Sequence, residues 1–241
     1  MTGSTIDVRA AGGEVTAAPP RAPFGWLLPV ALLAVAGVYV RAIAFTPVEA
    51  VQGPAQKIFY VHVPAAWVAF IAFFLVAGAG GLFLWLRDRR LDRFAESAAE
   101  VGVVFTTVVL VTGPLWGKPV WGTWWTWDAR LTLTLFLWFI YVGYLVLRGA
   151  IDDRGLRARY SAILGMLGAL LIPFIHLSVY LFRTLHPRPI VLKPERPSLP
   201  DEMLVTLLLS LGAFLVLFAA LLQARYRLAA ARDAAEAEDR A

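Results

Sequence analysis

The chain has 241 residues, of which 59% are hydrophobic and 16% charged, with a formal net charge of +5 and a mean hydropathy of +0.69. Soluble domains average roughly 45–50% apolar and about 25% charged residues, so this composition excludes a soluble globular protein and predicts an integral membrane protein. The net charge is therefore a topology signal rather than a nucleic-acid signature, and the absence of cysteine excludes disulfides and thiolate metal ligands.

Six apolar runs predict an all-α integral membrane protein with six transmembrane helices, since a bilayer core is crossed by roughly 20 residues. The runs lie at 26–45, 62–86, 100–116, 129–148, 160–182 and 203–224. We expect a disordered leader at 1–23 without a cleavable signal peptide, a membrane domain at 24–224, and a tail at 225–241.

Lysine and arginine are divided unequally between the two sides of this topology. Fourteen fall on the side of both termini and seven in the three loops of the other side. The positive-inside rule therefore predicts cytoplasmic termini, leader and tail. It places three loops on the outer face, at 46–61, 116–130 and 183–202.

The second outer loop contains Trp116–Arg130, which reads WGKPVWGTWWTWDAR and holds five of the nine tryptophans within twelve residues. A helix that began at Trp121 would place on one face Trp121 itself and the residues that lie three, four and seven positions after it. Those residues are Trp121, Trp124, Trp125 and Asp128. Such a shelf suits a large planar apolar ligand. The alternative is an aromatic belt at the membrane interface, but a belt supplies one or two tryptophans to a span end.

The other two outer loops each contribute a histidine. His62, in KIFYVHVPAAW, begins the second span, and Pro64 predicts an extended chain before it and a helix after it. His186 follows the fifth span in RTLHPRP. Either histidine alone is explained by an interfacial hydrogen bond or by a ligand role as neutral imidazole. Their presence on one face beside the tryptophans favours the ligand role.

The third histidine, His176, lies inside an apolar run, three residues after Pro173. Ionisable residues within a span usually mark function. Because a helix rises about 15 Å over the ten residues to His186, we expect the two not to share a ligand. His176 is then either a hydrogen-bonded histidine of the membrane interior or part of a deeper site. The remaining polar residues of the spans indicate no transport path. They are Thr106, Thr107, Thr112, Ser161 and Ser178.

Two charged residues close the tryptophan stretch. Asp128 stands at the start of the fourth span, where a carboxylate caps free amides. Arg130 either pairs with Asp128 or binds an anionic group of a ligand, because a guanidinium binds carboxylate in a bidentate manner.

The motif WGKPVWGTWWTWDARLT resembles the WWD signature of the haem-handling membrane proteins of cytochrome c maturation, which include CcmC, CcmF and CcsA. KIFYVHVPAAW and the TLH of RTLHPRP, together with the length and six spans, resemble the CcmC group, over about residues 26–222. One departure is SVYLF before TLH, where the family usually has paired tryptophans.

The resemblance implies that His62 and His186 are axial ligands of haem iron. It implies a porphyrin platform made of Trp116, Trp121, Trp124, Trp125, Trp127 and Asp128. It also implies haem b as a transferred ligand, and a bacterial cytoplasmic-membrane protein that presents haem to the chaperone CcmE, with CcmD and the CcmAB transporter as partners. We expect a binding and transfer protein rather than an enzyme, with lyase chemistry at most in the complex. One alternative is a haem transporter or exporter subunit, which His176 favours. The other is a purely structural subunit.

Overall fold

The computed structural model of the protein describes residues 25–238, so the leader expected at 1–23 lies outside the described residues. The described part is helical and contains no β-sheet, which confirms the all-α prediction. The helices are α1 (Leu27–Ala44), α2 (Phe59–Leu86), α3 (Arg89–Trp121), α4 (Ala129–Ala150), α5 (Arg154–Ala169), α6 (Leu171–Leu181) and α7 (Asp201–Glu238), with a 3₁₀ turn at Pro54–Ile58 before α2.

Six helices of the described part are long and apolar enough to cross a membrane, with α5 and α6 together forming the fifth. Two boundaries differ from the predicted ones by more than ten residues. Helix α3 begins at Arg89 rather than near residue 100, because its polar first turns still carry the helix, and Asp88 caps it by accepting a hydrogen bond from the Arg90 amide at 2.8 Å. Helix α7 continues past residue 224 to Glu238, where Asp233 pairs with Arg93 of α3 at 2.8 Å.

Helix α2 is the centre of the bundle and packs against α3, α5 and α7, while α4 packs against α3, α5 and α6, and α1 packs at the periphery against α7. Small residues let α2 approach its neighbours. A Cβ atom added to Gly80 would lie 3.2 Å from the Ala162 Cα of α5. Close backbone approach at such positions is the usual packing of membrane helices.

Hydrogen bonds and stacking join α4 to this centre. The ring of Tyr141 stacks on Phe73 with centroids 3.6 Å apart, and its hydroxyl donates to the Gly165 carbonyl of α5 at 2.8 Å. The buried hydroxyl thus has a partner, as an apolar interior requires.

The start of α2 differs from the one that was predicted from Pro64. His62 lies within the helix, which begins at Phe59, so the expected extended segment before His62 is wrong. Pro64 has no amide to bond the carbonyl of Tyr60, and the Ser210 hydroxyl of α7 donates to that carbonyl instead. This replacement partner lets the helix continue through the proline.

The alternating direction of the spans defines two ends of the bundle. The loop end carries the segments 45–58, 122–128 and 182–200, and the arginine end carries the short connections 87–88 and 151–153 together with the last turns of α7. A cavity lies at each end of the described part of the chain, and these two cavities share no lining residue.

Candidate functional site

The loop end contains a cavity of about 700 Å³, within the roughly 300–1,000 Å³ of small-molecule and cofactor sites. Its walls come from α2, α3, α4 and α6 and from all three loops of that end. The structure thus brings together segments that are far apart in sequence. The predicted site residues in its lining are His62, His186, Trp116, Trp121, Trp124, Trp125 and Arg130.

His62 is 9% exposed and its orientation is held by a hydrogen bond from α3. Its Nδ1 lies 2.9 Å from the Thr112 hydroxyl, and that hydroxyl also lies 2.7 Å from the Val108 carbonyl, to which it donates. A threonine hydroxyl has a single proton, so the hydroxyl accepts from Nδ1–H of His62. The tautomer assigned by this network leaves Nε2 of His62 with a free lone pair, which is the form that ligates a metal.

Space around the His62 ring is provided by glycine. A Cβ atom on Gly113 would lie 3.3 Å from Cε1 of His62, closer than ordinary van der Waals contact. A larger residue at this position would push the ring from its hydrogen bond with Thr112. The sequence between Thr112 and Trp116 therefore shapes the wall beside His62.

Trp116 connects the first loop to this wall. Its ring meets His62 edge-on, with centroids 5.7 Å apart, and its Nε1 donates to Gln52 Oε1 at 3.0 Å. The backbone amide of Gln52 in turn donates a hydrogen bond to the carboxylate of Glu49 at 2.6 Å, which holds Gln52 in place. The contacts fix the first loop against α3 at the edge of the cavity.

The expected helical shelf of tryptophans is wrong. Helix α3 ends at Trp121, because Gly122 adopts φ 77° and donates its amide to the Lys118 carbonyl at 3.0 Å. Glycine adopts this left-handed conformation readily and commonly ends helices. The segment 122–128 is non-helical, so Trp124 and Trp125 reach the cavity from a loop, not from a helix face.

The tryptophans of this segment have unequal roles. Trp121 lies against His186 with ring centroids 5.5 Å apart. Trp125 has a buried Nε1 without a hydrogen-bond partner among the described residues. Trp127 packs edge-on against Trp125 at 5.6 Å, but it is 74% exposed and does not line the cavity. Trp127 therefore lies at the protein surface, against the cavity-lining Trp125.

Asp128 does not line the cavity either, and it joins the second loop to the third. One carboxylate oxygen accepts from the Leu131 amide at 3.0 Å, which caps α4, and the other accepts from the Leu185 amide at 3.2 Å. The predicted capping role is thus present. The second hydrogen bond holds the residue directly before His186.

His186 lies in the third loop with its Nδ1 buried and without a partner in the described part of the chain. Burial, followed by the positive charge of Arg130, lowers its pKa to about 4, while Asp128 opposes the shift. The imidazole is therefore neutral at physiological pH. Neutral imidazole with an unpaired nitrogen is the donor that haem iron and other transition metals bind.

Two cations face this cavity. Arg130, from the first turn of α4, makes no ion pair with a carboxylate of residues 25–238. Arg188 also lines the cavity, and its guanidinium lies 5.5 Å from the centre of the Tyr180 ring. Both can neutralise an anionic substituent of a ligand.

His176 lies within α6 and lines the same cavity as His186. Helix α6 ends at Leu181, and the chain then turns so that the Leu185 amide reaches Asp128. The expectation that His176 and His186 do not share a ligand stays a prediction. The SVYLF segment does not line the cavity, and its Tyr180 and Phe182 are 47% and 60% exposed.

Thr112, Gln52 and Arg188 contribute to the site and are not singled out by the sequence. Thr112 reads as an ordinary polar residue of a span. Its partner His62 lies 50 positions away in sequence, so neither local spacing nor composition connects them. Arg188 could have been found from the sequence, since it is one of the positive charges concentrated in the third loop.

Fold and site together define the protein as an all-α, six-span membrane protein with a histidine- and tryptophan-lined cavity at one end. Residues 15–240 match the family model "CcmC: Heme exporter protein C". The chain is similar to "Heme exporter protein C" of Haemophilus influenzae, with 40% identity over 78% of this chain and 77% of the relative. It is similar to the protein of that name in Escherichia coli K12, with 42% identity over 67% and 68% of the two chains.

A similar protein is the "Putative cytochrome c biosynthesis ccmC-like mitochondrial protein" of Marchantia polymorpha, with 38% identity over 71% of this chain and 72% of the relative. The match covers most of the chain in each case. The chain belongs to the CcmC family, and the resemblance read from its motifs is confirmed.

Proposed function

We propose that this protein binds haem b in the loop-end cavity and presents it, at the outer face of the bacterial cytoplasmic membrane, to the chaperone CcmE during cytochrome c maturation. One observation carries the proposal. His62, from the first turn of α2, and His186, from the third loop, line one tryptophan-walled cavity. The names of the relatives, which refer to haem export and cytochrome c biosynthesis, agree with it.

The residues of the cavity fit haem as cargo. His62 offers a free Nε2 and His186 a buried nitrogen without a partner, and imidazole is a common axial ligand of haem iron. Indole surfaces suit a flat apolar macrocycle. Arg130, which lacks an ion-pair partner in residues 25–238, suits a propionate.

The work of the chain is holding and handing over rather than bond chemistry. The exposed Trp127, which packs on the cavity-lining Trp125, and the third loop, which Asp128 holds through the Leu185 amide, would form the surface that a chaperone meets. Any lyase activity belongs to the complex with CcmE, CcmD and CcmAB. The excess of lysine and arginine at the arginine end supports cytoplasmic termini and an outer loop end.

The test is the visible spectrum of haem titrated into the purified protein and its variants. We expect His62→Ala and His186→Ala to lose the bis-histidine spectrum and to weaken haem binding, because each removes one imidazole donor. Trp85→Ala, which alters an exposed tryptophan at the other end of the bundle, is the control for general damage. An unchanged spectrum and haem content in both histidine variants would refute the axial assignment.

A haem exporter is the second candidate, and the position of His176 favours it. This histidine lies within α6, which is part of the fifth span, and lines the same cavity, so it would offer haem a third imidazole within the membrane-spanning part of the chain. Vesicles that contain the protein would then release haem across the bilayer faster than empty vesicles, and His176→Ala would slow that release. Equal rates of haem release from vesicles with and without the protein would refute the exporter function and would leave binding and presentation as the proposed function.

A further inference from the structure

The arginine end of the bundle contains a second cavity, of about 280 Å³, unrelated to the haem proposal. Eight arginines and three carboxylates line it, contributed by the end of α2, the start of α3, the end of α4, the start of α5 and the last turns of α7. The arginines are Arg87, Arg89, Arg93, Arg148, Arg154, Arg157, Arg159 and Arg232.

All three carboxylates are already paired. Arg148, whose side chain is 5% exposed, binds Asp92 at 2.6 Å and Glu96 at 2.9 Å. Arg232 binds Glu96 at 3.0 Å, and Asp233 is the partner of Arg93. The carboxylates of the cavity are thus all engaged in ion pairs that join α3, α4 and α7.

Four cations of the lining stay without an ion-pair partner among residues 25–238, and they are Arg87, Arg89, Arg157 and Arg159. In the same part of the chain, Nε atoms of Arg148 and Arg157 are buried without a hydrogen-bond partner. A buried unpaired donor is costly. Several guanidinium groups around one concave surface form a binding site for a phosphate-like anion.

The surroundings of the cavity select the kind of anion. Arg87 directly follows the α2 span, and Arg157 lies in the first turn of the α5 span, so the cavity lies at the depth of lipid headgroups. The neighbouring apolar residues Trp85 and Tyr160 are 80% and 51% exposed. Aromatic residues at such positions lie at the membrane interface, and basic pockets between spans bind anionic headgroups.

From these contacts we infer that the arginine-end cavity binds the phosphate headgroup of an anionic phospholipid. The acyl chains would lie along the exposed apolar faces next to Trp85 and Tyr160. The bound headgroup would join α2, α3, α4, α5 and α7 at this end. This inference rests on residues that the haem site does not use, so either can fail alone.

Arg87 allows a clean test, because it holds a left-handed conformation with φ 58° at the end of α2. Glycine adopts this conformation at lower cost, so Arg87→Gly removes a guanidinium without harming the helix end. Arg157→Gln with Arg159→Gln removes two more charges. Arg183→Gln, an exposed residue of the loop end outside the other cavity, is the control that matches the change in charge.

The experiment measures lipid binding to the full chain in neutral detergent by native mass spectrometry and by the lipid-dependent rise in Tm. The probes are cardiolipin, phosphatidylglycerol, phosphatidylcholine and inorganic phosphate. We expect the anionic lipids to bind in preference to phosphatidylcholine. Each arginine removed from the cavity should weaken them about fivefold, the change that about 1 kcal/mol per basic residue at an anionic surface corresponds to.

Arg183→Gln should bind the anionic lipids as the unmodified protein does. Equal binding of phosphatidylcholine and anionic lipids would overturn the inference. So would equal anionic-lipid binding by all the variants. Saturation by inorganic phosphate without any preference for anionic lipid would identify a free-anion site and also overturn it.

Discussion

Replacement of Thr112 by valine removes the hydroxyl that holds His62 in the wall of the loop-end cavity and keeps the shape of the Thr112 side chain. The hydroxyl is the hydrogen-bond acceptor for Nδ1–H of His62 at 2.9 Å, and it directs its own proton to Val108 at 2.7 Å. Without it, Nδ1–H of a buried imidazole has no partner. The ring then either rotates, which turns the Nε2 lone pair away from its position in the unmodified protein, or moves its proton to Nε2, which occupies that lone pair. Either change would weaken iron ligation.

The size of the effect follows from the contact. A buried donor left unpaired costs about 1–3 kcal/mol. Loss of the second hydrogen bond of a metal-bound histidine typically costs about 10–100-fold in metal affinity, which corresponds to about 1.4–2.8 kcal/mol. The two ranges agree, so we expect Thr112→Val to bind haem about 10–100-fold more weakly and to perturb the iron spectrum.

The assay is a haem titration of the purified protein followed in the visible range, together with Tm. Thr112→Ser is the matched variant, because it keeps the hydroxyl and removes only a methyl group, and it should bind haem as the unmodified protein does. Haem affinity and spectrum that are the same in Thr112→Val and in the unmodified protein would refute the proposed role of Thr112 in orienting His62.

Two further predictions concern the loop that carries His186. Asp128→Ala should lower stability by about 0.5–2 kcal/mol through loss of the α4 cap, and it should weaken haem binding. Asp128→Asn should keep the cap to Leu131 and a near-normal Tm, but it should bind haem more weakly because its amide NH₂ cannot accept a hydrogen bond from the Leu185 amide. Equal haem affinity in both variants and in the unmodified protein would disprove the role of Asp128 in joining the two loops. Because the pKa of His186 is lowered to about 4 from its ordinary value near 6.5, the unfolded chain binds more protons than the folded chain between these values, and this contribution to stability falls as the pH is lowered through the window. Neutral His186 should therefore remain available down to about pH 5 in a titration of the haem complex, and a loss of ligation centred near pH 6.5 would contradict the burial of this histidine.

Much of the architecture could be predicted from the sequence, because the cost of placing polar groups in a bilayer acts on each span separately. The all-α fold, the six candidate spans and the family follow from apolar runs and from motifs such as the tryptophan stretch around Trp121. The boundary at Arg89 was missed because the polar first turns of α3 lack the apolar signal. Only the described structure shows them to be helical.

The candidate site was predicted in its members but not in its geometry. His62 and His186 were assigned to one face of the membrane by topology, and the structure places both in one cavity. Their role as axial ligands, and the platform role of the tryptophans, stay predictions. The helix expected through Trp124 was wrong, since a single glycine, Gly122, with a left-handed backbone outweighed the aromatic spacing.

The sequence by itself determined the character of the segments, which are membrane-crossing helices and the loops between them, one of them rich in tryptophan. Those properties depend on neighbours in the chain. The tertiary structure decided which side chains meet. It placed the Thr112 hydroxyl against His62 and put His176 and His186 in the lining of one cavity, and it grouped eight arginines around a second cavity in which only some have carboxylate partners. Such contacts join residues tens of positions apart, and they depend on how the helices pack against α2.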